Sequence, residues 1–147
     1  GRLLGTGTVA VGGSEVTIKI SQLGTGAGKV YVSVTSSGKL ESSRTMADYA
    51  AEATSDPPEA SYVIIVNNSG KSDTITVAGL MEGDLVKVYN QATGGSLLGS
   101  GTVPAQGSEV TIKVTQLGVS AGYVYISVTS TGAYESSRTK VAYAAEP

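Results

Sequence analysis

The chain repeats itself, and that constrains its fold more than any other feature. "LLGTGTV" at Leu3–Val9 returns as "LLGSGTV" at Leu97–Val103, and "GSEVTIKI" at Gly13–Ile20 as "GSEVTIKV" at Gly107–Val114. "VYVSVTSSG" at Val30–Gly38 returns as "VYISVTSTG" at Val124–Gly132, "ESSRT" stands at Glu41–Thr45 and Glu135–Thr139, and "YAAE" at Tyr49–Glu52 and Tyr143–Glu146. Every pair has the same offset of about 94 residues without a gap, and about 35 of 53 aligned positions are identical. Identity at that level marks a duplicated module rather than convergence on one fold. The duplication is uneven. The 147 residues hold about one and a half periods, and residues 54–94 occur once. "EATSDPPEA" at Glu52–Ala60 reads as a linker, because paired prolines and small polar residues interrupt regular structure. The expected organisation is residues 1–51 as the C-terminal half of one repeat, 52–60 as linker, and 61–147 as a complete repeat.

The complete repeat reads as short alternating runs between turn residues. Tyr62–Val66, Asp73–Ala78, Asp84–Tyr89, Ser96–Val103, Glu109–Thr115, Tyr123–Thr129 and Glu135–Tyr143 are the expected strands. Within them Val86 and Val88, then Val110 and Ile112, then Val124, Ile126 and Val128 fall on one face and predict the core. The glycine-rich Ser96–Val103 suits a sheet edge. Seven strands at turn spacings of about 8–12 residues are the pattern of an all-β, Ig-like Greek-key β-sandwich. A fainter internal likeness links "SDTITVAGL-MEGDLVKVYN" to "SEVTIKVTQLGVSAGYVYISVT". Each is a strand, a leucine (Leu80, Leu117), a glycine-containing corner and a strand, as expected of two arches that carry the chain between sheets. The first fragment would supply only the last four strands of such a sandwich.

Composition narrows the chemistry. The chain has no histidine and no cysteine, which removes the usual general base, the commonest metal ligand, a thiolate nucleophile and any disulfide. The net charge is −2, and the mild, mixed charge argues against nucleic acid. No apolar run is long enough for a membrane helix. No leader is visible at Gly1, so the chain is expected to be a processed or excised piece.

"DTITVAGLMEGDLVKVY", "GSEVTIKVTQLG", "VYISVTSTGAYESSRTKVAYAAE" and the proline-containing linker together resemble the immunoglobulin-like or fibronectin type III-like tandem repeats of Gram-positive cell-surface and secreted proteins. The resemblance covers the whole chain and is specific for a repeat class, not for a ligand. It implies spacers, stalks or fibres outside the cell, often beside enzymatic or wall-anchoring modules; from the residues of this chain itself no enzymatic activity is expected.

Candidate sites are few. In ESSRT the hydroxyls of Ser136 and Ser137 lack a histidine base, and an exposed Lys140 stays protonated near pH 7. The structural reading is an outer-face polar strand with Arg138 paired to a carboxylate such as Glu135 of a neighbour or Asp84. Tyr123, Tyr125 and Tyr134, with Arg138, are the candidate ligand surface for a glycan. The first copy carries Lys29, Tyr31 and Leu40 at the matching places, so a cross-strand aromatic ladder competes with the platform reading. Glu82, Asp84 and Asp73 read as turn residues rather than a calcium loop. No cofactor or metal is expected.

The half repeat leaves Val16, Ile18, Val30, Val32 and Val34 as an uncovered apolar face with open edges. Two explanations stand: a piece of a longer array, or completion by strand exchange between copies, head to tail. The expected function is a structural repeat of an extracellular fibre, stalk or filament, with copies of itself as partners. The alternative is a glycan- or cell-wall-binding accessory module of a secreted protein.

Overall fold

The computed structural model describes residues 1–147. It is all-β, with nine strands in three antiparallel sheets and no α-helix. The chain divides into two units, Gly1–Glu52 and Ala53–Pro147. The first unit holds β1 (Gly28–Val32) and β2 (Thr45–Tyr49). The second holds β3 (Val63–Val66), β4 (Asp73–Val77), β5 (Leu85–Tyr89), β6 (Leu97–Thr102), β7 (Val110–Val114), β8 (Gly122–Thr129) and β9 (Thr139–Tyr143).

In the second unit one sheet has the order β3-β4-β7 and the other β6-β5-β8-β9. Alternating residues put one apolar face of each strand inward. Ile75 and Val77 on β4 and Ile112 and Val114 on β7 meet Val86, Val88, Val124, Ile126, Val128 and Val141 from the other sheet in one buried cluster. Burying each such side chain stabilises the fold by on the order of 1.5–3 kcal/mol. The expected core residues are all there, with Val110 only partly buried. The glycines of β6 have a packing reason. A Cβ at Gly99 would lie 2.9 Å from the Ile112 side chain, and one at Gly101 the same distance from Val110. The edge strand therefore settles backbone-first on the facing sheet.

Both expected arches cross between sheets, β4 to β5 past Leu80 and β7 to β8 past Leu117, and both leucines pack against the core. A buried carboxylate ties the second arch to the β3–β4 turn. Asp73, fully buried, accepts the Asn68 N–H and the Leu117 N–H, each at 2.6 Å. Backbone donors satisfy the charge where no cation reaches.

Two boundaries differ from expectation. Residues 53–60 are not a free linker but part of the second unit. Ser55 and Pro58 are buried, Ser130 N–H donates to Ser55 Oγ, and Thr139 Oγ1 donates to the Pro58 carbonyl. The Tyr134 N–H donates to the Ala53 carbonyl, the Ser55 N–H donates to the Tyr134 carbonyl, and Thr54 bridges Tyr134 in parallel. Prolines lack the N–H but keep the carbonyl and an extended φ, so they suit a segment that accepts from an edge. The last strand begins at Thr139, not at Glu135. The side chains of Glu135, Ser136 and Arg138 are engaged with neighbouring elements, Ser137 is exposed, and the backbone there leaves the ladder.

The first unit was expected to show about four strands and has two. β1 and β2 pair from Gly28↔Tyr49 to Val32↔Thr45, the same register as Gly122↔Tyr143 to Ile126↔Thr139. β8 continues to Thr129 because its far end pairs with β5, and β1 stops where its single partner stops. Residues 3–8 and 16–20, which match β6 and β7, form no strand. In the second unit those strands pair with β5 and β4, and this chain contains no second copy of either. A ladder needs a partner for its N–H and C=O groups, so alternation alone makes no strand.

Candidate functional site

The ESSRT segment of the second unit is a corner that gathers three elements. Glu135 lies in front of β9, and its Oε1 accepts the Tyr89 hydroxyl of β5 at 2.7 Å and the Ser127 hydroxyl of β8 at 2.5 Å. Ser136 Oγ accepts the Val128 N–H at 3.0 Å and donates to the Ser137 carbonyl at 2.7 Å. Arg138 donates to the carbonyls of Gln91 and Gly94, both at 2.8 Å, and its guanidinium lies 3.4 Å from the centre of the Tyr89 ring. Arg138 therefore caps the β5–β6 loop and stacks on an aromatic face. The expected Arg138–carboxylate pair does not form. The carbonyls of a glycine-containing turn converge on one nitrogen of the guanidinium, Nη1, which donates to both.

The electrostatics follow from these bonds. The Ser127 hydroxyl holds the Glu135 carboxyl below its usual range, opposed by burial and helped by the Tyr89 hydroxyl and by Lys87 and Arg138. Burial raises the Tyr89 phenol, with the bond to Glu135 adding to it. Ser127 and Glu135 juxtapose a hydroxyl and a carboxylate, the raw parts of a nucleophile and base. The chemistry fails on two counts. A carboxylate stabilised in its charged form is a weak base, and Ser127 is fully buried, out of reach of a substrate.

The candidate aromatic surface divides. Tyr123 and Tyr125 share the outer face of β8, and Tyr123 is 54% exposed, with Lys140 Nζ 4.1 Å from its ring centre. Tyr125 lies opposite Tyr89 on β5 and Lys140 on β9, so Tyr89, Tyr125 and Tyr123 form a cross-strand row flanked by Arg138 and Lys140. Tyr134 sits in the corner beyond the other end of β8, roughly 20 Å along the strand from Tyr123 at about 3.3 Å per residue. The three tyrosines do not make one platform. Two shallow depressions, about 290 and 340 Å³, lie beside Pro58 and Tyr62 and beside Thr93 and Arg138. No three acidic side chains converge as a metal site.

The apolar residues of the first unit differ in exposure from their matches in the second. Val16, Ile18, Val32 and Val34 are 42%, 37%, 47% and 64% exposed, and Val30 is half-buried. Their counterparts Ile112, Ile126 and Val128 are at most 2% exposed.

Three residues escaped the sequence reading. Tyr89, a strand end in the sequence, lies opposite Tyr125, a pairing that alternation does not encode. Asp73 was read as a turn residue. Tyr143 donates to the Leu117 carbonyl at 3.1 Å, and Tyr49 does the same to Leu23 at the same distance. Gly122 is required there, because a Cβ would lie 2.6 Å from the Tyr143 hydroxyl oxygen. The signal was present as a Leu…Gly…Tyr spacing found in both copies.

Comparison with protein-family models, with curated proteins and with solved structures returned no match.

Proposed function

We propose that the chain is a structural repeat of an extracellular fibre or stalk, built on an Ig-like or fibronectin type III-like Greek-key β-sandwich, with no catalytic role. The observation that carries this reading is the fate of ESSRT. The most distinctive motif of the repeat uses its side chains on internal neighbours: Glu135 on Tyr89 and Ser127, Ser136 on Val128, Arg138 on Gln91 and Gly94. Only the Ser137 hydroxyl of the motif stays exposed, and the chain has no histidine to activate it. Seven strands in sheets of three and four, joined by two arches that change sheets, support the fold part of the reading. The resemblance to surface-protein repeats supports the location outside the cell, with neighbouring repeats as partners. Stretching the chain between handles tests the mechanical role. The second unit is expected to open in one event that releases on the order of 300 Å of chain for its 95 residues. Gradual extension without a distinct event would reject a load-bearing module.

The glycan-binding reading keeps one observation, the exposed Tyr123 beside Tyr125. Pull-down with a panel of cell-wall polysaccharides decides it. The spacer reading expects no saturable binding. Binding that disappears in Tyr125→Ala while the fold is retained would replace it.

A further inference from the structure

We infer that residues 1–52 form a strand-acceptor site whose occupant is a three-strand segment of the same sequence type as Ala53–Asn90, supplied from outside residues 1–147. The inference rests on the proposed reading of the chain as a repeat module, and it names the partner that such a module needs.

The duplication itself shows what covers the open face. In the second unit, β7 is paired by β4, and β8 is paired by β5. Those two strands bury Ile112, Ile126 and Val128. The matching Ile18, Val32 and Val34 have the same or nearly the same side chains, and no counterpart of β4 or β5 exists within the chain. The occupant's chemistry is therefore written in the second unit: alternating Ile75 and Val77, then Val86 and Val88, joined by the Leu80 arch.

The acceptor is already shaped. Four backbone bonds of the second unit recur in the first at the same offset. Gly13 to Ala10 matches Gly107 to Pro104, Ser42 to Val34 matches Ser136 to Val128, Lys39 to Ser36 matches Ala133 to Ser130, and Glu52 to Thr25 matches Glu146 to Val119. A Cβ at Gly5 or Gly7 would collide with Ile18 or Val16, as one at Gly99 or Gly101 would with Ile112 or Val110. The glycine-containing segment thus lies over its neighbour in both copies. A preformed acceptor loses little conformational freedom on binding.

The polar groups fit as well. In the second unit Asp73 takes the Leu117 N–H, and the Asn67 amide donates to the carbonyls of Gly118 and Ala144. Pro58 receives Thr139 Oγ1. The first unit offers the same acceptor side as Leu23, Gly24, Ala50 and Thr45. Only a segment carrying Asp, Asn and an extended proline run at the spacing of Asp73, Asn67 and Pro58 meets all four. A generic apolar peptide does not.

Residues 1–147 carry one Ala53–Asn90 segment and two regions that can receive it, residues 1–52 and residues 95–147. A copy of residues 1–147 that lent its segment would open its own residues 95–147, so exchange among such copies exposes as much apolar face as it covers.

The test adds a synthetic peptide of residues 53–90 to the full chain and follows backbone amide exchange in both units. One-to-one saturable binding is expected, with exchange at residues 16–20 and at Leu23 slowed at least about tenfold. A peptide with Ile75→Asp and Val86→Asp is expected to leave exchange unchanged. No protection of residues 1–52 at saturating peptide, or equal protection by the altered peptide, would overturn the inference. If the free peptide aggregates, a chain with residues 53–94 fused ahead of Gly1 decides in its place. Residues 16–20 exchanging as fast in that fusion as in the parent would overturn it. Polysaccharide binding would overturn the spacer reading and leave these outcomes untouched.

Discussion

Residues 3–52 and 97–146 share most of their sequence and part of their structure, and the difference between them isolates what neighbours contribute. Both copies make the hairpin, the tyrosine-to-leucine bond and the local turns, which depend on residues close in sequence or on one strand pair. Only the second makes strands from "LLGSGT" and "VTIKV", because only there do β5 and β4 lie alongside. Side-chain alternation specifies which face turns inward, but the strand needs a ladder. The same apolar residue is a core residue in one copy and an exposed one in the other.

Paired substitutions sharpen this contrast, and the largest effect is expected in the core. Ile112→Ala removes a buried side chain wedged against Gly99 and the facing sheet, and is expected to destabilise the second unit by about 2–5 kcal/mol. Ile18→Ala, at the matching position, is expected to change stability by less than about 0.5 kcal/mol. Urea unfolding followed by circular dichroism, with residue-level amide exchange to separate the units, measures both. Comparable losses in the two variants would mean that Ile18 is covered in solution.

The next effect should be equal in the two copies, because the feature is local in both. Gly122→Ala forces a Cβ against the Tyr143 ring, and Gly28→Ala does the same against Tyr49. Overpacking of this kind costs about 1–3 kcal/mol. Each substitution is expected to loosen its own hairpin by a similar amount, seen as faster amide exchange in β8–β9 or in β1–β2. A response confined to the second unit would break the view that hairpin and latch form without the rest of the sheet.

The sequence carried the strands of the second unit and their inward faces because period-two alternation reports a half-buried sheet directly. Val86, Val88, Ile112, Val124, Ile126 and Val128 were legible for that reason. Two things were not. The segment 53–60 looked like a linker, since composition records the missing proline N–H groups but not the carbonyl that Thr139 uses. The ESSRT corner looked like a strand, since Glu135–Arg138 are compatible with one, and only the positions of Tyr89 and of the 91–94 loop draw the chain away. Those partners lie more than 40 residues off in sequence. Pairing across such a span is set by topology, which alternation does not encode.

Arg138 offers a smaller and more selective contrast with Arg44. Arg138→Ala removes two charge-assisted bonds to carbonyls and the stack on Tyr89, all at the surface, and is expected to cost about 1–2 kcal/mol. Arg138→Lys should recover only part of this, because an ammonium lacks the flat face that stacks on the Tyr89 ring. Arg44→Ala is expected to be neutral within about 0.5 kcal/mol, since the first unit has no counterpart of Tyr89 or of the 91–94 loop. Thermal melts of the three variants, with amide exchange at residues 91–95, measure the difference.

The smallest effect expected is a pH dependence confined to the second unit. The Glu135 carboxyl is held below its ordinary range in the folded chain, chiefly by the Ser127 hydroxyl. A group with a depressed folded pKa adds stability that is present above its unfolded pKa and is lost as pH falls through the folded one. The loss should therefore begin as pH drops below the ordinary glutamate range, near about 4.3, and continue lower. Because Glu135 is only half-buried, its size should match that of a partly screened pair, about 0.2–1 kcal/mol. The raised Tyr89 phenol acts at the other end, with stability lost as pH rises above the ordinary tyrosine range, near about 10. Glu135→Gln is expected to flatten the acid limb of the stability profile and leave most of the alkaline limb, which burial of Tyr89 sustains. An acid limb of unchanged steepness in that variant would place the titrating group elsewhere and remove Glu135 as the electrostatic centre of the corner.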